Sequence, residues 1–216
     1  MDDPMGHFFS YRSHWSDLTQ QQEKRLHLFR EVFLSWNEKI NLISRKDTDS
    51  FEIRHVLHSL SIARFIRFYP GAQVMDLGTG GGFPGIPLAI RFPDASFVLV
   101  DSIEKKLLAV QDMVDVLGLK NVEVIRGRAE SLTRSFDYVV SRAVAPMTDL
   151  VRWTKAIVQP GQQGSLPNGW LVLKGGDLRE ELRPYGRLVE IQPLSDYWND
   201  PFFESKALVY LPRQVL

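Results

Sequence analysis

The chain has 216 residues, room for one α/β domain and an extra segment, and its 26 basic and 26 acidic side chains balance to zero net charge. That balance excludes a strongly basic nucleic-acid binder, though not a local basic face. Apolar content of 44% and charged content of 24% are ordinary for a soluble globular protein, no apolar run is long enough for a membrane span, and the lack of cysteine removes disulfides and thiolate metal sites.

Residues 1–18 carry several aromatics without a clear period and are expected to pack as an arm; Met1-Asp2-Asp3-Pro4 lacks the basic and apolar regions of a signal peptide, so the expected location is the cytoplasm. Thr19 and Gln22 have the spacing of a capping box at a helix start. The helix that follows carries an apolar stripe, Leu26, Phe29, Val32, Phe33, Trp36, Ile40 and Ile43, expected to bury against a sheet domain. Asn37 and Asn41 lie one turn apart and either reach a ligand or neighbouring loop or face solvent. A second helix is expected from Ser50 to Phe68, with Ile53, Leu57, Leu60 and Phe65 inward and with Arg54, His55 and His58 on it. No carboxylate or cysteine completes a ligand set there, so no metal is expected. Pro70-Gly71 breaks the chain and divides a helical extension (1–70) from the main domain (71–216).

Beyond that break, strands and helices alternate. Strands are expected at Val74–Leu77, Ser96–Val100, Val122–Arg126, Phe136–Ser141, Trp170–Lys174, Leu188–Gln192 and Ala207–Leu211, with helices at Lys105–Leu117, Thr148–Ile157 and Leu178–Leu182. This pattern implies a mostly parallel, doubly covered Rossmann-like sheet of six or seven strands, the last one antiparallel. Its ligands bind beyond the C-terminal strand ends.

The first strand runs into a glycine corner, Asp76-Leu77-Gly78-Thr79-Gly80-Gly81-Gly82-Phe83-Pro84-Gly85-Ile86-Pro87. Glycines let a backbone approach a ligand closely, Pro84 or Pro87 can open a helix, and the helix start offers free N–H groups. Gly80, Gly82 and Gly85 satisfy the dinucleotide pattern G-x-G-x-x-G. The alternative is S-adenosylmethionine, which an acid two residues before the first glycine favours: Asp76 would attract its cationic groups and repel a pyrophosphate. A plain tight turn is the third possibility. Asp101 ends the second strand where an acid can accept bonds from ribose hydroxyls or cap the next helix. Ala129 and Glu130, after the third strand, can meet adenine. Arg142 ends the fourth strand among apolar residues and wants an anion; Lys174 ends the fifth.

The run D-L-G-T-G-G-G-F-P-G-I-P-L-A-I, with L-V-D-S at 99–102, R-A-E at 128–130, S-R-A at 141–143, L-K-G-G at 173–176, W-N-E-K-I-N-L-I-S at 36–44 and R-H-V-L-H-S-L at 54–60, closely resembles the family of small-subunit ribosomal RNA guanine-N7 methyltransferases (RsmG, or glucose-inhibited division protein B). The likeness spans residues 20–212. It implies a class I S-adenosylmethionine-dependent methyltransferase fold with a seven-stranded sheet, a cytoplasmic enzyme, and methylation of one guanine in the decoding-region hairpin of 16S ribosomal RNA. The family's cofactor contacts fall on Gly78, Phe83, Ala129, Glu130 and Arg142. His58 departs from the family, which usually has Asp there.

Guanine N7 has a free lone pair, so its methylation needs positioning rather than a general base. Arg142 and Phe83 are the candidates for contact with the reacting groups, and Asp76, Gly78, Gly80, Phe83, Asp101, Ala129, Glu130 and Arg142 for the cofactor. Candidate RNA contacts are Arg54, His55, Arg128 and Lys174, with Arg45, Lys46, Arg126, Arg142 and Arg179 behind them. The partner would be 16S ribosomal RNA or a small-subunit particle, met by a monomer. An NAD-dependent oxidoreductase, a methyltransferase for other acceptors and a non-enzymatic RNA-binding module are the rival readings.

Overall fold

The structure, a computed structural model, describes residues 9–216. Of the arm expected at the N-terminus, residues 1–8 lie outside the described residues. The remainder forms a one-turn helix, α1 (Tyr11–His14), that buries Tyr11, followed by the buried Trp15.

Helix α2 (Gln20–Ile40) opens with the expected reciprocal capping box between Thr19 and Gln22. Leu26, Phe29 and Phe33 are fully buried on its inner face, and burial of each stabilises by about 1.5–3 kcal/mol. The helix stops at Ile40, short of the last stripe residue, because Asn41 adopts a left-handed conformation (φ 50°) and caps it. The single helix expected over 50–68 is two pieces, a π-helical turn (Glu52–Leu57) and α3 (His58–Phe65), preceded by a 3-10 turn (Arg45–Ser50). It ends early because the chain turns extended at Ile66 and inserts Phe68 against Phe92, Phe97 and Tyr138.

The sheet has seven strands: β1 (Gln73–Leu77), β2 (Ser96–Asp101), β3 (Val122–Arg126), β4 (Tyr138–Arg142), β5 (Gly169–Gly175), β6 (Glu190–Pro193) and β7 (Lys206–Pro212). Their spatial order is β3-β2-β1-β4-β5-β7-β6, parallel from β1 to β5, with β7 antiparallel to both neighbours. The central strands are buried on both faces, as parallel strands covered by helices must be, and their side chains alternate between two cores. Val74, Leu99, Val140 and Leu173 pack with α2, α3, α4 (Gly85–Arg91) and α5 (Glu104–Val116). Met75, Val100, Val139 and Val172 face α6 (Met147–Thr154) and α7 (Arg179–Leu182). The N-terminal helices therefore complete one of the two helical layers. Helix α6 ends before Ile157 because Thr154 Oγ1 takes the Trp170 indole N–H at 2.7 Å, and Val158 pairs in a bridge with Phe136.

Candidate active site at the glycine corner

Two backbone conformations shape the corner. Gly78 (φ 69°) and Gly80 (φ 57°) are left-handed, which costs a side-chain-bearing residue about 1–2 kcal/mol. The chain can then fold back so that Gly78 N–H and Thr79 N–H both donate to Val100 O, stitching the loop to β2.

Asp76 is 0% exposed, and its Oδ2 accepts from Thr79 Oγ1 at 2.6 Å and from Gly85 N–H at 2.8 Å. Burial pushes its pKa up to about 7, opposed by those two hydrogen bonds and by the charge of Arg142. Asp76, expected to meet the ligand, is absent from the cavity lining and braces the loop against the start of α4. Gly85 is required for that brace, since a Cβ there would stand 2.6 Å from Asp76 Oδ2 and 2.8 Å from the Leu99 side chain.

The helix start offers no free donor, against expectation. Pro84 and Pro87 have no N–H, Gly85 N–H is bound to Asp76, and Ile86 N–H donates to Gly82 O. A pyrophosphate needs donors of this kind at a helix N-terminus, so the Gly80, Gly82, Gly85 pattern does not act as a dinucleotide fingerprint here.

Over the C-terminal ends of β1, β2 and β4 lies a cavity of about 630 Å³. Gly80 backs it: a Cβ there would meet nothing nearer than Gly78 O at 3.9 Å. Asp101 lines it with both carboxylate oxygens already anchored, Oδ2 by Gly80 N–H and Oδ1 by Ile103 N–H, each at 2.9 Å. Capping and ligand contact are thus compatible, because each oxygen keeps a second lone pair. Ala129, buried in a 3-10 turn (Ala129–Ser131), and the exposed Glu130 line the same side.

Arg142 stands opposite. Its Nη1 donates to Arg54 O at 3.3 Å, and its guanidinium lies 4.6 Å from the centroid of the Phe83 ring. Among the described residues it has no carboxylate within ion-pairing distance. Burial lowers its pKa to about 10, so it stays cationic at neutral pH. Phe83 is 2% exposed within a cluster with Phe29, Phe33 and Phe51, whose rings lie 5.0–5.8 Å apart. Phe83 therefore presents Arg142 to the cavity more than its own ring.

The candidate RNA contacts divide by pairing. His55 is only 9% exposed, packed between Phe51 and Phe83, and held neutral by burial and the nearby Arg142, with a pKa near 3. This burial sets it apart from the exposed candidates for an RNA contact. His58 is likewise buried, edge-on to Phe202. Lys174 is 8% exposed and bound to Glu181 at 2.7 Å, so it is structural as well. Arg54 pairs with Asp47 at 2.6 Å, Arg126 with Glu104 at 2.8 Å and Arg179 with Asp177 at 2.6 Å. Arg128 lines the cavity mouth, exposed and without an ion pair among the described residues. The sequence reading missed Leu42, Ser102, Lys106, Val144 and Trp153 as cavity residues and took Ile43 for helix stripe. An asparagine at the end of a helical period, a common left-handed stop, was the available signal for a loop there.

A family model described as "rRNA small subunit methyltransferase G" matches residues 22–197. A ribosomal RNA small subunit methyltransferase G from Bacteroides fragilis is 48% identical over 198 residues, covering 92% of this chain and 96% of its own. One from Flavobacterium johnsoniae is 48% identical over 208 residues, covering 96% and 98%. Among solved structures, a SAM-dependent methyltransferase from Aquifex aeolicus superposes with a TM-score of 0.54 at 14% identity, covering 78% of this chain and 98% of its own. An rRNA methylase from Streptococcus thermophilus gives 0.50 at 18%, covering 74% and 97%. At such identities the likeness is one of fold.

Proposed function

The chain belongs to the rRNA small subunit methyltransferase G family, and we propose that it methylates N7 of one guanine in the decoding-region hairpin of 16S ribosomal RNA, with S-adenosylmethionine as donor. The observation that carries this reading is the cavity lining. Its titratable side chains are Asp101, Lys106, Arg128, Glu130 and Arg142, with no histidine, tyrosine or cysteine in that lining, and its two carboxylates, Asp101 and Glu130, are the acceptors for the donor's hydroxyl and amino groups, which leaves no dedicated base for an acceptor's proton. An amine or amide acceptor must lose a proton on methylation, whereas guanine N7 attacks through a lone pair. The site therefore suits an acceptor that asks only to be placed.

The residues fit the donor. Gly80 leaves the space that a Cβ would fill, Asp101 and Glu130 offer acceptors to hydroxyl and amino groups, and Arg142 is a desolvated cation without an anion of its own. Bound there, the cofactor supplies a sulfonium-activated methyl group. The chain's part is to hold Asp101 rigid through Gly80 and Ile103, to aim Arg142 by stacking on Phe83, and to exclude water with the aromatic cluster. A base flipped out of its stack can enter.

No helix among the described residues is long and apolar enough to cross a membrane. The protein acts as a monomer in the cytoplasm, on the RNA or the small-subunit particle. The test is transfer of labelled methyl from S-adenosylmethionine to small subunits from cells lacking this gene, with the product mapped by cleavage at N7-methylguanosine. Label at any other atom, or in protein, would overturn the assignment.

A further inference from the structure

The wall of the cavity beside Gly81 does not come from the sheet. Leu42 and Ile43, from the loop after α2, form it, and a Cβ on Gly81 would lie 3.5 Å from Leu42 Cβ. A single residue shapes this loop. Asn37 is 4% exposed and holds the chain twice: its backbone carbonyl takes Asn41 N–H at 3.1 Å, and its side-chain Oδ1 takes Ile43 N–H at 2.8 Å. Directly beyond, Ser44 caps a 3-10 turn (Arg45–Ser50) whose first two residues, Arg45 and Lys46, are exposed. Among the described residues neither cation has an ion pair; the neighbouring Asp47 is taken by Arg54.

We propose that Asn37 is a positioning residue for the RNA acceptor: it sets Leu42 and Ile43 as the apolar wall for the incoming base and Arg45 and Lys46 as contacts for the adjoining phosphates. This rests on the RNA methylation reading. The order along the chain, apolar residues inside the cavity and then two free cations outside it, is what a polynucleotide requires. Its base must be desolvated while its phosphates stay at the surface. The cofactor has no such need. Its polar partners, Asp101 and Glu130, lie beyond β2 and β3, whereas Leu42 and Ile43 stand beside Gly81 and Phe83.

The test compares Asn37→Leu, Asn37→Asp and the double change Arg45→Ala, Lys46→Ala with wild type. Affinity for S-adenosylmethionine is read by calorimetry, binding of a 16S ribosomal RNA transcript by anisotropy across salt, and KM and kcat on small subunits. Asn37→Leu is expected to raise KM for subunits and Kd for RNA at least about tenfold, a 1.4 kcal/mol effect. Cofactor affinity should stay within about twofold. Asn37→Asp, which keeps the acceptor oxygen, is expected to recover most of the loss. The double variant should reduce the salt slope by about 2, roughly one per phosphate contact. Should Asn37→Leu fail to fold, Leu42→Ala with Ile43→Ala carries the same expectation at the wall itself. Equal loss of cofactor and RNA, loss of neither, or an unchanged salt slope would overturn the proposal. If wild type itself leaves ribosomal RNA unmethylated, it is the activity that fails, and the two failures are distinct.

Discussion

Asp76 offers a direct way to separate bracing from ligand contact. In the folded protein its pKa stands near 7 against an ordinary 3.8, chiefly through burial. Three units at about 1.36 kcal/mol each make deprotonation in the free protein costly by about 4 kcal/mol. Because the folded pKa is raised, this group's contribution to stability is fully present below about pH 4 and is lost as pH rises through 7. Asp76→Asn keeps one oxygen to accept from Thr79 and Gly85 but puts an amide where Oδ1 has no partner among the described residues, a cost of about 1–3 kcal/mol. The variant should thus be less stable than wild type at pH 4 and equal or more stable at pH 8. The neutral, buried His55 runs the other way: its depressed pKa costs stability as pH falls below 6.5. That slope is common to both proteins and cancels in their difference. Urea unfolding of the cofactor-free proteins at several pH values reads that difference directly. A difference that stays flat from pH 4 to 8 would show that Asp76 ionises without penalty and would refute the desolvated brace. Cofactor cations nearby would lower its pKa, so titration near pH 7 should release protons, visible as a buffer-dependent binding enthalpy.

Other substitutions divide the corner further. Gly80→Ala should cost about 1–2 kcal/mol of left-handed strain and leave the fold intact, since nothing lies within 3.9 Å of the new methyl; calorimetry should show cofactor affinity down by about tenfold or more. Gly85→Ala drives a methyl into Asp76 and Leu99, an overpacking of about 1–3 kcal/mol or more, and should lower the thermal midpoint further than Gly80→Ala. Arg142→Leu should weaken cofactor binding roughly ten- to hundredfold, the worth of a charged hydrogen bond of about 1.5–3 kcal/mol; unchanged affinity would remove Arg142 from the cofactor site. Lys174→Met should destabilise by about 2 kcal/mol, below the 3–5 kcal/mol of a fully buried pair because Glu181 is 25% exposed. It should leave the salt slope of RNA binding untouched, whereas a phosphate-contacting lysine would reduce that slope.

What could be read from the sequence follows the range of each interaction. The parallel strands were legible because burial on both faces leaves a run such as Val74–Leu77 almost wholly apolar, and the Thr19–Gln22 cap because its bonds span three residues. The glycine corner could be placed, yet the meaning of Asp76 could not, since it depends on Gly85 closing to 2.8 Å and consuming the donors an anion would need. Charge type was equally visible for Lys174, His55 and Arg128, but only the folded chain brings Glu181 to the first and encloses the second in phenylalanines. The break at Asn41 is partly legible: an asparagine is a common left-handed stop, but the bond that holds the following loop, from Ile43 N–H to the buried Asn37 carboxamide, shows only in the folded chain. Folding thus sorts like-charged residues into those whose partner the chain provides and those whose partner must come from outside. Arg142 at the cavity and Arg45 with Lys46 beside it fall in the second group, and one bound cofactor cannot satisfy cations both within the cavity and beyond its rim. On the proposed reading the cofactor answers Arg142, and an extended anionic acceptor running out past the rim answers Arg45 and Lys46.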